Sequence, residues 1–176
     1  MITYNHENYI SKAIESVLMQ KTLFPIELII SDDCSSDNTH NIIKEYTKKN
    51  PTIIRDNSPR KNLGIMSNFI KTLKTCSGKY IALCEGDDYW TDPYKLQKQV
   101  DFLEANSEFS FCFHKVNWIN ENENLINNQK AAGTINYYSP KQIFDIKVPI
   151  PSLVMRNNIL SFPKEFFIVP HGDPFL

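Results

Sequence analysis

Short apolar runs alternate with amphipathic helical stretches from the first residues onward, and this alternation confines the chain to strand–helix–strand units around a mainly parallel sheet. Ile10, Ile14, Val17 and Leu18 share one helical face between about Glu7 and Gln20. Ile26–Ile30 reads as a buried strand that ends in the polar burst Ser31-Asp32-Asp33-Cys34-Ser35-Ser36-Asp37. Ser36 or Asp37 is expected to cap the next helix, which turns Ile42, Ile43 and Tyr46 inward and closes on Lys48-Lys49. Thr52–Ile54 predicts a third strand. After Asn62-Leu63-Gly64 a helix carries Met66, Phe69, Ile70 and Leu73 on one face and stops near Gly78, and Lys79–Cys84 predicts a fourth strand. Asp92 and Pro93 supply an N-cap and a first-turn proline for a helix facing Leu96, Val100 and Leu103 inward. Phe109–Trp118 reads as one broad aromatic strand, and the asparagine-rich Asn120–Lys130 as an exposed loop or hairpin tip. Ser139-Pro140 starts a short helix, Ser152–Met155 reads as a strand, and Phe162–Val169 is an apolar run of unassigned type. No period of about 20 to 50 residues repeats, which excludes solenoids.

Composition narrows the class. A chain of 176 residues with 41% hydrophobic content holds one core of ordinary size. Its net charge of −1 leaves no whole-chain field to draw in nucleic acid or an anionic membrane, so partners have to be argued from sites. The longest apolar stretch free of charge, Val148–Met155, is far shorter than the ~18 residues of a membrane span. The opening Met1-Ile2-Thr3-Tyr4-Asn5-His6 turns polar at once, which sets the expectation of an intracellular, cytoplasmic protein, including the inner face of the membrane. Cys34, Cys76, Cys84 and Cys112 contain no C-x-x-C pair and are expected to be reduced. The four histidines lack zinc-ligand spacing, and no zinc site is expected.

Two acidic clusters carry the chemistry. Asp32-Asp33 and Glu85-Gly86-Asp87-Asp88 each sit where an apolar strand ends and a loop toward a helix begins. In an open α/β sheet the carboxyl ends of parallel strands share one edge, where ligands bind, so the two clusters are predicted neighbours. Close carboxylates repel, and a hard divalent ion with water and phosphate oxygens completing its shell is the ordinary solution. The alternative for Asp33–Asp37 is a helix-capping loop. Asp33-x-Ser35-x-Asp37 fails as a calcium loop, with Asn38 at the sixth position and Lys44 at the twelfth. No dinucleotide fingerprint and no P-loop is present, so phosphate charge would be met mainly by metal.

Thr3-Tyr4-Asn5-His6-Glu7-Asn8-Tyr9-Ile10, Ala13–Gln20 and Ile29–Thr39, with Asn62-Leu63-Gly64, Asn68 and Gly78–Trp90, resemble the inverting glycosyltransferases of family 2 in residue type and in order. The match is dense over roughly residues 1–105, and His171-Gly172-Asp173 resembles the loop that bears the family's catalytic aspartate. The resemblance implies a three-layer α/β/α, Rossmann-like fold of the GT-A type. It implies one domain over residues 1–176, with 1–105 as the nucleotide-sugar-binding half and 106–176 as an incomplete acceptor-side half.

It also implies a nucleotide-diphosphate sugar donor, a UDP-sugar first, with Mg²⁺ or Mn²⁺ as cofactor and a saccharide or lipid-linked saccharide as acceptor. By position Tyr4 should lie against the base with Glu7 near it, and Thr3, Asn62 and Gly64 belong to the same donor site. Asp32 and Asp33 should accept hydrogen bonds from base or ribose, Asp87 should hold ribose or metal-bound water, and Asp88 with Asp87 should ligate the ion. Asp173 is the candidate general base for direct displacement, in the synthesis of a bacterial-type surface polysaccharide or glycoconjugate.

Each role has a plainer counterpart: Tyr4 as a core ring, Glu7 as a helix-dipole partner, Tyr89 and Trp90 as packing, Asp173 as a helix cap, His114 as a hydrogen-bonded wall residue. Glu85 stands where the family has aspartate. Few apolar residues precede Thr3 and the chain stops shortly after Asp173, so a fragment is expected. The competing function is a non-catalytic nucleotide-sugar binding module, with a nucleotidyltransferase a distant third.

Overall fold

In the computed structural model, which describes residues 1–120, 122–127, 136–138, 142 and 148–157, the strand β2 (Leu28–Asp32) is buried at every position. A strand covered on both faces has no polar side to alternate with, hence the unbroken Leu28-Ile29-Ile30 run. β1 (Ile2–Thr3) and β3 (Ile54–Asp56) flank it, both parallel, with Thr3 opposite Asp32 and Ile30 opposite Asp56. A second sheet is antiparallel: β8 (Val154–Arg156) lies between β4 (Tyr80–Ala82) and β5 (Phe111–Cys112). The amide of Gly86 donates to Ile2 O at 3.0 Å, which brings the end of the β4 segment against β1.

Helices cover both faces. α1 (Ile10–Leu18) buries Ile10, Ala13, Ile14 and Val17, α2 (Thr39–Lys49) buries Ile43, and α4 (Lys95–Ala105) buries Leu96, Val100 and Leu103. Residues of these three helices join Leu28, Ile30, Ile54 and Val154 in one apolar cluster, while Leu73 of α3 (Ile65–Leu73) joins Ile81 and Met155 in another. Val154 and Met155 are adjacent in β8 and belong to different clusters, as expected when successive side chains point to opposite faces of a sheet.

Several boundaries differ from the sequence expectation for identifiable reasons. β3 begins at Ile54 because the amides of Ile53 and Ile54 both donate to Asn50 O in the turn that closes α2. α4 begins at Lys95 because Asp92 and Pro93 belong to a preceding turn: Asp92 Oδ1 accepts from Tyr94 N at 2.9 Å, and the carbonyls of Asp92 and Pro93 are taken by Gln20 Nε2 and Lys21 N. α2 takes Asn38 as its N-cap with no side-chain bond to a helix amide; Asn38 Oδ1 accepts from Asn41 Nδ2 at 2.9 Å, and Asp37 accepts from Thr39 N at 3.0 Å. On α3 the innermost positions include Asn68 and Thr72, because Asn68 exchanges two hydrogen bonds with Ser31 of β2, at 2.6 and 3.0 Å.

The broad aromatic strand is divided. Phe111–Cys112 pairs with the three-residue β8, and β6 (Trp118–Ile119) pairs instead with β7 (Leu125–Asn127) in a hairpin, where Asn120 N donates to Asn124 O at 3.0 Å. All four cysteines are free thiols, and burial pushes Cys84 up to about 12. No helix among the described residues is long and apolar enough to cross a membrane. The expected helix at Ser139-Pro140, the Phe162–Val169 run and Asp173 lie outside the described residues.

Candidate functional site

Strand β1 is the hinge of the site, because it borders both acidic segments. Thr3 pairs with Asp32 on one side, and Asp33 N donates to Thr3 O at 3.0 Å. On the other side lies Gly86. A Cβ there would sit 2.4 Å from Thr3 Oγ1 and 2.9 Å from His6 Nδ1, so only glycine allows this closeness. The two clusters, far apart in sequence, are therefore separated by a single strand, as predicted.

Glu85, Asp87 and Asp88 each place a carboxylate oxygen within 4.8 Å of the others. A short turn aims them, with Asp88 N donating to Glu85 O at 3.2 Å. Burial first, and then the Asp87 and Asp88 charges, push Glu85 up to about 7; burial and the Asp87 charge push Asp88 up to about 6. Among the described residues the one basic group at ion-pair distance is His6, with Nε2 3.9 Å from Asp87 Oδ2. Three mutually repelling, half-desolvated carboxylates offer hard oxygen donors in the number a divalent ion takes from protein. The donor set fits Mg²⁺ or Mn²⁺.

Asp32 and Asp33 are in a different state. Asp32 is 2% exposed and accepts from Ser35 N at 3.2 Å and from Ser35 Oγ, with His40 Nδ1 3.4 Å away. Asp33 accepts from Leu63 N and Gly64 N, each at 2.8 Å, while Asn62 Nδ2 donates to Asp33 O at 2.9 Å. Gly64 has φ 78°, the left-handed region that glycine tolerates without strain. Asp33, Asn62 and Gly64 thus form one clasp that fixes the start of α3. Glu7 is drawn into a similar clasp: its Oε2 accepts from Asn38 N at 2.8 Å and its own amide donates to Asp37 Oδ2 at 3.0 Å. Glu7 serves the start of α2 rather than its own helix.

Tyr4 is 48% exposed, so it is not a core ring and stands free at the carboxyl edge. Trp90 is packing: it is buried and donates from Nε1 to Pro151 O at 2.7 Å. Tyr89 lies under the Lys12 ammonium, 3.9 Å from ring centroid to nitrogen. His114 is a wall residue, with Nδ1 2.7 Å from Lys115 O. It lines a cavity of about 850 Å³ that opens from Glu85, Asp87 and Asp88 toward α4, the β6–β7 hairpin and Pro149–Pro151.

Glu85 joins the cluster despite its longer arm. Three further residues at this edge carried little sequence signal, and one of them, His6, faces Asp87. Lys95 and Gln99 line the cavity although they sit on the inner side of an amphipathic helix, where polar residues read as boundary positions. The one signal was their spacing of one helical turn beside Leu96 and Val100.

Residues 1–162 match the model of the family described as Glycosyl transferase family 2. Among curated proteins, the chain is 48% identical over 120 residues to an uncharacterized protein of Mycobacterium tuberculosis, covering 68% of this chain and 35% of that protein. It is 32% identical over 163 residues to an uncharacterized glycosyltransferase of Methanocaldococcus jannaschii, covering 92% and 56%. It is 36% identical over 114 residues to the putative teichuronic acid biosynthesis glycosyltransferase TuaG of Bacillus subtilis, covering 62% and 42%. The chain thus spans between about a third and just over half the length of the curated relatives it matches. Of solved structures, S. aureus TarS in complex with UDP-GlcNAc superposes with TM-score 0.68 at 22% identity, covering 92% of this chain and 47% of that one. The mannosyltransferase PcManGT of Pyrobaculum calidifontis, in complex with GDP-Man and Mn²⁺, gives 0.57 at 18% identity, covering 65% and 34%. The α/β architecture is that of the GT-A transferases.

Proposed function

The chain belongs to glycosyl transferase family 2, and from that premise we propose that it transfers a sugar, with inversion, from a nucleotide-diphosphate donor to a hydroxyl of a saccharide or lipid-linked saccharide. The setting is synthesis of a cell-surface polysaccharide or glycoconjugate, in the cytoplasm or at its membrane face, in line with its relative TuaG, a putative teichuronic acid biosynthesis glycosyltransferase. A UDP-sugar is the first donor to try, since TarS holds UDP-GlcNAc.

The observation that carries this reading is the Glu85–Asp87–Asp88 cluster, one strand away from Asp32-Asp33 and open to the cavity. Asp88 and Asp87 hold the divalent ion, Mg²⁺ or Mn²⁺, with Asp87 also within reach of ribose. An ion held there would offset the charge that grows on the departing diphosphate. Tyr4, free at the edge, lies against the base, and Thr3, Asn62 and Gly64 shape the wall beside it. Asp32 and Asp33 accept from base or ribose through the lone pairs their clasps leave, and Glu7 holds the adjoining loop. Asp173 takes the acceptor hydroxyl's proton on the opposite face, the general-base half of an inverting displacement.

Calorimetry with UDP, and with GDP and dTDP as controls, first in EDTA and then in Mn²⁺, tests the reading. Removing the repulsion between two negative charges at ~4 to 6 Å is worth on the order of a few kcal/mol at an effective dielectric near 20. A nucleotide should therefore bind only with the ion present. Equal affinity in both solutions would remove the metal role of Asp88.

A further inference from the structure

The cavity beside the carboxylate cluster is lined by two side chains whose polar atoms have no task in the transfer described above. Lys95, the first residue of α4, is 4% exposed, and its ammonium has no hydrogen-bond partner among the described residues; it lies 4.1 Å from the centroid of the Trp90 ring. One turn further along, Gln99 is 9% exposed and its Oε1 also has none. The amide is held in that sense: Nε2 donates to Ser152 O at 2.8 Å, and reversal would set two oxygens face to face. Other cations on this wall are occupied, Lys98 by Asp92 at 2.7 Å for instance. Burial lowers Lys95 to about 8, the mark of an ammonium short of solvation.

A buried donor and a buried acceptor without partners each destabilise the protein, and their retention on one wall of a cavity points to something that enters it. A hydroxyl is the small group that accepts from an ammonium and donates to an amide oxygen at once. An anion would suit Lys95 alone, and it would face Gln99 Oε1, the negative face of the Trp90 ring and the Glu85, Asp87 and Asp88 carboxylates. On the footing of the transferase reading, we propose that Lys95 and Gln99 form a sugar-hydroxyl subsite on the cavity wall, which holds a hydroxyl of either the transferred sugar or the acceptor sugar. Both residues orient the sugar and take no part in bond making.

Lys95→Met keeps the stem against Trp90 and deletes the ammonium. Because it removes an unpaired buried charge, its melting temperature should equal or exceed that of the wild type. Calorimetry in Mn²⁺ then runs in two arms. In the donor arm UDP-GlcNAc, UDP-glucose, GDP-mannose and dTDP-rhamnose are each compared with the parent nucleotide, so that the ratio isolates the sugar. In the acceptor arm the methyl glycosides of the same four sugars are titrated into nucleotide-loaded and nucleotide-free protein. In one arm the sugar-dependent affinity should fall about tenfold in Lys95→Met, while parent-nucleotide affinity stays unchanged. A fall in the donor arm assigns the subsite to the transferred sugar, and a fall in the acceptor arm assigns it to the acceptor.

Equal sugar dependence in both proteins, as ordered water alone would give, overturns the proposal. So does a panel in which no sugar contributes to binding, or wild-type protein that takes acetate or phosphate at lower concentration than any glycoside. A lowered melting temperature in Lys95→Met makes the lysine structural and overturns it as well. If no nucleotide binds the wild type, the transferase reading fails on that result, and the nucleotide-free glycoside titration still decides the subsite.

Discussion

Asp32 ends β2 and Asp33 follows it, much as Glu85, Asp87 and Asp88 follow β4, yet the two groups differ in what surrounds their oxygens. The first pair is buried and met by backbone amides and a serine hydroxyl, so its charge is stabilised by the fold itself. Among the described residues the second group has only His6 at ion-pair distance, and burial with mutual repulsion pushes two of its carboxyls far above the ordinary range. Similar sequence, an acidic burst after an apolar strand, thus gives a clasp in one place and a set of close, mutually repelling carboxylates in the other. Deciding between them takes the partners of each oxygen, which lie dozens of residues away in sequence.

The contrast breaks most sharply under paired substitutions. Asp88→Asn removes a ligand from the open cluster, and Mn²⁺-dependent nucleotide affinity should fall ~100-fold, about two steps of 1.4 kcal/mol per factor of ten, while the melting temperature holds or rises. Asp33→Asn should lower stability as well as nucleotide affinity. It turns two charge-assisted bonds from Leu63 N and Gly64 N into at best one neutral one, costing on the order of 2 to 3 kcal/mol of stability. Denaturant unfolding and calorimetry on the two variants read both effects. If Asp33→Asn weakens nucleotide binding without lowering stability, the clasp contributes nothing to holding the start of α3.

Gly86→Ala tests the strand that separates the groups. Its methyl would meet the side chain of Thr3 well inside van der Waals contact, so β1 or the loop has to move, at roughly 1 to 3 kcal/mol. The expected signature is a loss of stability together with weaker metal binding, because one displacement disturbs both neighbours of β1. Stability lost with metal affinity intact would show that the cluster keeps its geometry without β1.

How far the sequence led follows from the same physics. The helices α1 to α4, the buried strand β2 and the juxtaposition of the acidic segments were legible, because apolar periodicity and the shared carboxyl edge of parallel strands are local or topological rules. The division of Phe109–Trp118 was not, since its length is set by a partner strand, β8, that lies some forty residues on and has three residues. The late start of α4 was hidden for a like reason: Gln20 and Lys21 take the carbonyls of Asp92 and Pro93. In the site, the acidic run that holds Asp87 and Asp88 was legible from its place after an apolar strand, while the engagement of Glu7 with α2 and the inward Lys95 and Gln99 depend on tertiary contacts that no spacing encodes.

The smallest effect is the most direct test, because it reads the state of the cluster without any nucleotide. Carboxyls held above their unfolded values bind more protons in the folded protein than in the unfolded chain, so their contribution to stability is complete below about pH 4 and is lost as pH rises through about 6 and 7. With partial solvent screening, the loss between pH 5 and pH 8 should be on the order of 1 to 2 kcal/mol. The measurement is urea unfolding of the wild type across that range, in EDTA and in saturating Mn²⁺, with Asp88→Asn in parallel. The account predicts a decline in EDTA that Mn²⁺ abolishes and that Asp88→Asn flattens. A profile in EDTA that stays level or rises from pH 5 to pH 8, or one that Mn²⁺ leaves untouched, would contradict it.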